Sequence, residues 1–205
     1  MMHGAQTKTE GAIDHASIFK RDGYVVAHAL LTDPTLTQAY QYACLMASAG
    51  KMRTDDYQAA GTPSAYGDFI MEGLLAKLLP DIERACGEAL FPTYAYFRVY
   101  KRGDVLKEHT DRPSCEVSVS LCLGFEGEKP WPIWIKGPNG VLSADLRPGD
   151  ALVYRGIDCP HWRDIFEGSR QAQVFLHYVC QNGPHAEWKF DKRSPGTGLR
   201  SMAGG

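Results

Sequence analysis

The 205-residue sequence predicts a mainly β fold with N-terminal helices, of the cupin-like jelly-roll kind. Helical periodicity is confined to roughly the first ninety residues. From Thr93 onward, short runs rich in Val, Ile, Tyr and Phe are separated by turn signals: Arg102-Gly103-Asp104, Gly124 to Pro130, Gly137-Pro138-Asn139-Gly140, Pro148-Gly149-Asp150 and Glu167-Gly168. Helices first and one β-rich body after them suit a jelly roll buttressed by helices. No internal repeat interrupts that order.

The elements are expected in sequence. Residues 1–15 form a polar lead-in, and Ala16 to Arg21 a short helix that stops at Gly23. Tyr24-Val25-Val26 follows as a strand. Thr32-Asp33-Pro34 is a helix start, with a capping side chain just before a first-turn proline. Leu36, Ala39, Tyr40, Ala43 and Cys44 then repeat at helical spacing. Lys51 to Phe69, with Gly, Pro, Ser and the pair Asp55-Asp56, reads as a long surface loop of the lid type. A second helical stretch, Ile70 to Leu90, is expected to split at Pro80, where a backbone hydrogen bond is lost. The Gly-rich end, Ser194 to Gly205, is expected to be mobile. These boundaries give one domain, with helical support and lid loop over 1–92, a β core over 93–180 and an extension over 181–205.

Composition narrows the function classes. A formal net charge of -2 argues against broad binding to nucleic acid or anionic membrane, and no apolar run reaches the length of a membrane span. Met1 to Glu10 lacks an apolar signal core, so a cytoplasmic location is the expectation. The six cysteines are scattered without a C-x-x-C pair, as buried thiols in a reducing compartment would be. Nothing in the sequence specifies an oligomeric state.

One constellation carries chemistry. His109 and Asp111 are two apart, so on an extended segment both side chains reach the same face. His161 follows about fifty residues later, after the turn Pro148-Gly149-Asp150 and a strand at Ala151 to Tyr154. Two imidazoles and one carboxylate can occupy one face of an octahedral Fe(II) and leave the other open. Arg170 begins the next strand, Arg170 to Val179, and its guanidinium offers a planar fork for a carboxylate. An H-x-D triplet alone is weak, and His185-Ala186-Glu187 has similar spacing, but no histidine lies downstream to complete that second set.

Tyr100-Lys101-Arg102-Gly103, His109-x-Asp111, Pro148-Gly149-Asp150, His161 and Arg170 together resemble the Fe(II)/2-oxoglutarate-dependent dioxygenase family, in its prolyl-hydroxylase-like branch. Phe19 to Val25 is similar to the helix-to-strand entry of these enzymes. The resemblance spans about three-quarters of the chain and implies a double-stranded β-helix. It implies metal ligands, and so the catalytic centre, at His109, Asp111 and His161. It places the cosubstrate arginine at Arg170 and a cosubstrate-pocket tyrosine at Tyr100. A second barrel tyrosine of some members has no match, and Ser118 or Ser120 is its replacement in this reading. The implied cofactors are Fe(II), 2-oxoglutarate and O2, with ascorbate as a stimulant. The implied reaction is hydroxylation of an unactivated C–H bond in an amino acid, peptidyl residue or other small molecule, with succinate and CO2 as coproducts. Related halogenases carry a small residue where this chain keeps Asp111, which favours hydroxylation or another oxidation.

Other residues have two readings each. Tyr94, Tyr96, Arg98 and Tyr100 alternate onto one strand face. If that face looks inward, Arg98 and Tyr96 could bind an anionic substrate or cosubstrate; otherwise it is a solvated polar face. Trp131, Trp134 and Trp162 read as core or pocket wall, and His177 as a satisfied structural histidine. His3, His15 and His28 lack ligand-type surroundings. Two rival functions remain, a non-catalytic jelly-roll module that binds metal or a small ligand, and a zinc-dependent hydrolase. The latter lacks H-E-x-x-H and leaves Arg170 without a role.

Overall fold

A computed structural model of the chain describes residues 14–202. Residues 1–13 of the polar lead-in, His3 among them, and the last three residues lie outside them, whereas Asp14 and His15, also read as lead-in, are the N-cap and first residue of the first helix. Ten strands and four α-helices follow in order: α1 (His15–Asp22), β1 (Tyr24–Ala27), α2 (Thr35–Ser48), β2 (Ser64–Tyr66), α3 (Phe69–Cys86), β3 (Leu90–Lys101), β4 (Leu106–His109), β5 (Val117–Glu126), β6 (Ile133–Gly137), β7 (Gly140–Ala144), β8 (Ala151–Arg155), β9 (His161–Arg163), β10 (Arg170–Cys180) and α4 (Leu199–Met202).

The strands form two antiparallel sheets. A major sheet runs β1-β8-β5-β10-β3-β2, and a minor sheet runs β4-β9-β6-β7. Apart from the β6–β7 hairpin, which stays within the minor sheet, strands β3 to β10 therefore alternate between the sheets in the order of a double-stranded β-helix, and β1 and β2 extend the edges of the major sheet. Period-two alternation gives the major sheet two different faces. Ala95, Phe97 and Val99 of β3, with Ala172, Val174, Leu176 and Tyr178 of β10, join Leu74, Leu75, Leu78 and Ile82 of α3 in the main apolar core. The other face carries Tyr100 and Phe175 against Trp131, and a further cluster links Cys122, Leu152 and Tyr154 to Ile133 and Ile135 of the minor sheet. That inner face holds the polar chemistry.

Local chemistry explains the ends of the helices. Gly23 closes α1 at φ 79°, and its N–H donates to the Phe19 carbonyl at 2.9 Å. Asp68 caps α3, accepting from the N–H groups of Ile70 at 3.0 Å and Met71 at 3.2 Å. Helix α2 starts at Thr35, later than the sequence suggests, although Asp33 still accepts from the Thr37 N–H at 3.1 Å.

Four expectations need correction. Pro80 lies inside an unbroken α3. Burial of Leu78 and Ile82 on either side of it, against the major sheet, outweighs the lost hydrogen bond. The segment from Lys51 to Phe69 is not all loop: Arg53 and Ser64 exchange backbone hydrogen bonds at 2.8 Å, and β2 joins the major sheet beside β3. The described part of the Gly-rich end is held at Leu199, which is buried and whose N–H donates to Glu72 of α3 at 2.9 Å. The β core also begins at Leu90, ahead of Thr93, with Pro92 beside a register shift in the β3–β10 pairing. Among the described residues, no helix is long and apolar enough to cross a membrane.

Candidate metal centre and ligand pocket

His109 ends β4 and His161 opens β9, and the two are cross-strand partners. Asp111, just past β4, turns its Oδ1 toward both rings, 3.7 Å from His109 Nε2 and 3.8 Å from His161 Nε2. The three donor atoms lie close enough to hold one ion. On the far side of each ring, Nδ1 faces a carbonyl: that of Lys107 at 2.7 Å for His109, and that of Cys159 at 3.0 Å for His161. A carbonyl only accepts, so Nδ1 carries the proton and Nε2 presents its lone pair to the shared point.

Electrostatics agree with a ligand role. Burial pushes the His161 imidazole down to about 4, and Arg98 and Arg163 act in the same direction. His109 is lowered by burial and then by His161. Both rings are therefore neutral at pH 7, as ligation requires. The Tyr154 hydroxyl lies 3.3 Å from His161 Nε2, so a metal would compete with it for that lone pair.

The carboxylate is held by its surroundings. The Asp111 N–H donates to the Gly156 carbonyl at 2.8 Å, and Ser118 Oγ donates to Asp111 Oδ2 at 2.8 Å. A Cβ on Gly156 would collide with the Asp111 carboxylate, the Cys115 carbonyl and Ser118 Oγ. The site therefore requires glycine at that position.

A cavity of about 430 Å³ opens beside the three residues, lined also by Tyr96, Arg98, Tyr154, Phe175 and His177. Arg98 is nearly enclosed and stacks near the rings of Tyr96 and Phe175, its Cζ 5.1 Å and 5.3 Å from their centroids. Its Nη2 donates to Asp56 at 2.5 Å and to Gln58 at 2.8 Å, and its Nη1 to the Tyr100 hydroxyl at 3.3 Å. Tyr96 donates to the same Asp56 oxygen at 2.7 Å. Burial would lower the Arg98 pKa, but Tyr100 and Asp56 outweigh it and hold the guanidinium above its ordinary value.

The inward reading of the Tyr94-to-Tyr100 face thus agrees with the structure, and Tyr96, Arg98 and Tyr100 all look between the sheets. Ser118 and Ser120 face inward too, but Ser118 is engaged by Asp111 and Ser120 accepts from Gln173 at 2.9 Å.

Arg170 is not brought to the site. It is 3.6 Å from Glu126 with its side chain 42% exposed, and it neighbours Cys44 and Tyr40 of α2. The inner face of β10 belongs to Gln171, Gln173, Phe175 and His177, so Arg170 falls on the opposite phase. Arg163 is the residue the sequence reading missed. It stands two residues beyond His161 on the same strand, is completely buried, and donates through Nη1 to the Trp131 carbonyl. Its Nε and Nη2 have no partner. The i, i+2 rule that linked His109 to Asp111 would have found it. Asp56 and Tyr154 were also missed; neither sits in a recognisable motif.

Fold and site together define a double-stranded β-helix with a His-Asp-His candidate metal centre at one end of the barrel. No protein-family model matches the chain, and no curated protein matches it. Solved structures do. A prolyl-4-hydroxylase from Pseudomonas putida superposes with a TM-score of 0.66 at 14% identity, over 80% of this chain and 96% of that one. The non-heme alpha ketoglutarate dependent epimerase SnoN of nogalamycin biosynthesis gives a TM-score of 0.71 at 13% identity, over 89% of each chain. EctD from S. alaskensis, in a structure with 2-oxoglutarate and 5-hydroxyectoine, gives 0.66 at 13% identity over 96% of this chain and 89% of its own. At this identity the likeness shows the shared fold.

Proposed function

We propose that the chain is a non-haem Fe(II)/2-oxoglutarate-dependent oxygenase that hydroxylates an unactivated C–H bond of an amino acid, a peptidyl residue or another small molecule. The observation that carries this reading is the convergence of His109 Nε2, His161 Nε2 and Asp111 Oδ1 beside an open cavity that also contains a buried guanidinium. Neutral imidazoles with fixed tautomers and a hydrogen-bonded carboxylate suit a divalent iron held on one face. The structural neighbours include an alpha ketoglutarate dependent epimerase and a protein solved with 2-oxoglutarate, which supports the class.

With iron, 2-oxoglutarate and O2 bound, the centre would supply the oxidising power for C–H hydroxylation, yielding succinate and CO2. This chain's residues do the rest. His109, Asp111 and His161 hold the metal and leave the cavity side free. Arg98 is assigned the distal carboxylate of 2-oxoglutarate, in place of Arg170, because it lines the same cavity as the three ligands. To receive it, Arg98 exchanges the Asp56 carboxylate for that of the cosubstrate, while Tyr100 stays beside the guanidinium. Tyr96 and Phe175 wall the cavity beside the guanidinium. A second assignment of the distal carboxylate goes to Arg163, favoured by its two unpartnered nitrogens in a fully buried position.

Stoichiometric conversion of 2-oxoglutarate to succinate with Fe(II) and ascorbate tests the class. A binding module or a zinc hydrolase forms no succinate under any condition. Stimulation of succinate release across a panel of amino acids and peptides identifies the substrate. Arg98→Met and Arg163→Met, compared for 2-oxoglutarate affinity, separate the two arginine assignments.

A further inference from the structure

We propose that His177 is a positioning residue for the metal-binding carboxylate, acting on Asp111 through Ser118. This rests on the metal-centre reading above. His177 of β10 and Ser118 of β5 are cross-strand partners on the inner face of the major sheet. Ser118 Oγ lies 2.9 Å from His177 Nδ1 and 2.8 Å from Asp111 Oδ2.

Proton bookkeeping gives the chain a direction. An ionised carboxylate only accepts, and a serine hydroxyl has a single proton to give. Ser118 therefore donates to Asp111, and His177 Nδ1–H donates to Ser118. The Cys115 carbonyl, 3.2 Å from Ser118 Oγ, competes for the same proton, and the charged oxygen at shorter range wins it. The imidazole is itself fixed: it is buried, and the Tyr94 ring lies against it with centroids 4.6 Å apart. The relay ends on Oδ2, which leaves Oδ1 as the oxygen facing both ligand imidazoles. Without the His177 donor, Ser118 is free to turn to Cys115, and the carboxylate loses the contact that sets its rotation.

The same neighbourhood offers a different use for His177, since Asp111, Cys115 and His177 are also near enough to one another to hold an ion. Two observations favour the relay. His177 Nδ1 is already committed to Ser118, and the Cys115 sulfur is already hydrogen-bonded with the Tyr94 hydroxyl at 3.1 Å.

Co(II) serves as the probe, read by titration calorimetry and by its visible absorption bands. His177→Leu removes the donor, His177→Asn keeps an N–H near the Nδ1 position, and Ser118→Ala breaks the relay in the middle. The expected result is Co(II) affinity reduced about tenfold or more in His177→Leu and Ser118→Ala. His177→Asn restores it to near the wild-type value, and the Leu/Ala double variant is no weaker than either single one. Wild-type affinity in a folded His177→Leu, loss in His177→Asn equal to that in His177→Leu, or additive losses in the double variant would each overturn the relay. If His177→Leu fails to fold, Ser118→Ala and His177→Asn still decide, because the relay requires the first to be weak and the second strong. A wild-type chain that takes up no Co(II) overturns the metal centre itself and this role with it; unchanged variants of a metal-binding wild type overturn this role alone.

Discussion

His109 and His161 are direct cross-strand partners on β4 and β9, with ring centroids 4.3 Å apart and both Nε2 atoms turned to the same carboxylate oxygen. Two ligands are therefore set by a single strand pairing, and the third by a two-residue step along the chain. Little conformational entropy remains to be lost when an ion binds.

The arginine assignment is the sharpest departure from the sequence reading. Arg98→Met should weaken 2-oxoglutarate binding about 10–100-fold, the range for losing charge-assisted hydrogen bonds. Arg170→Ala, on the helix-facing side of β10, should leave it unchanged. Equilibrium binding with Fe(II) present and O2 excluded checks both, and the opposite ranking would restore Arg170.

Asp56 competes with any ligand carboxylate for Arg98. Removing its charge in Asp56→Asn should tighten 2-oxoglutarate binding several-fold, since a neutral amide pairs more weakly with a guanidinium. Weaker binding in Asp56→Asn would mean that this carboxylate supports the site from outside rather than occupying it. The same equilibrium titration measures the effect.

Gly156→Ala places a methyl group against Asp111, Cys115 and Ser118. Overpacking there should cost about 1–3 kcal/mol of stability, read by chemical denaturation. Metal affinity should fall about tenfold or more as the carboxylate is displaced. An alanine variant with full metal affinity would show that the carboxylate is held less tightly than the geometry states.

Stability of the metal-free protein should depend on pH in a definite direction. Burial holds His161 and His177 each down to about 4, whereas the same side chains titrate near 6.5 when unfolded. Between these values the unfolded chain binds protons that the folded chain refuses, so the stability is present above about 6.5 and is lost as pH falls toward about 4. Thermal unfolding followed from pH ~7.5 down to ~4.5 should show a falling midpoint. A flat midpoint would mean that these imidazoles are not buried and neutral.

Much of this arrangement was legible in the sequence, and the failures have physical causes. Helix α1 and strand β1 were readable because Gly23 marks the boundary in the chain itself. Pro80 signals a break because helix propensity is local, whereas the burial of Leu78 and Ile82 that keeps the helix whole exists only in the packed structure. The His109–Asp111 step was readable from strand alternation, but Arg170 required the phase of β10, and one residue of phase sends a side chain to the other face. Arg163 obeyed a rule already in use. Asp56 was invisible for a different reason: its partner Arg98 is 42 residues away, and nothing local to either residue marks the pairing. His177 read as a structural histidine because its partner Ser118 is 59 residues away on another strand.

The central claim is that His109, Asp111 and His161 form an iron centre that accepts 2-oxoglutarate. Titrating the protein with Fe(II) and 2-oxoglutarate under anaerobic conditions tests it most directly. The account predicts a weak visible charge-transfer band that saturates at one iron and one 2-oxoglutarate per chain and is missing in Asp111→Ala. No band in the wild-type protein with both components present, or an equal band in Asp111→Ala, would contradict it.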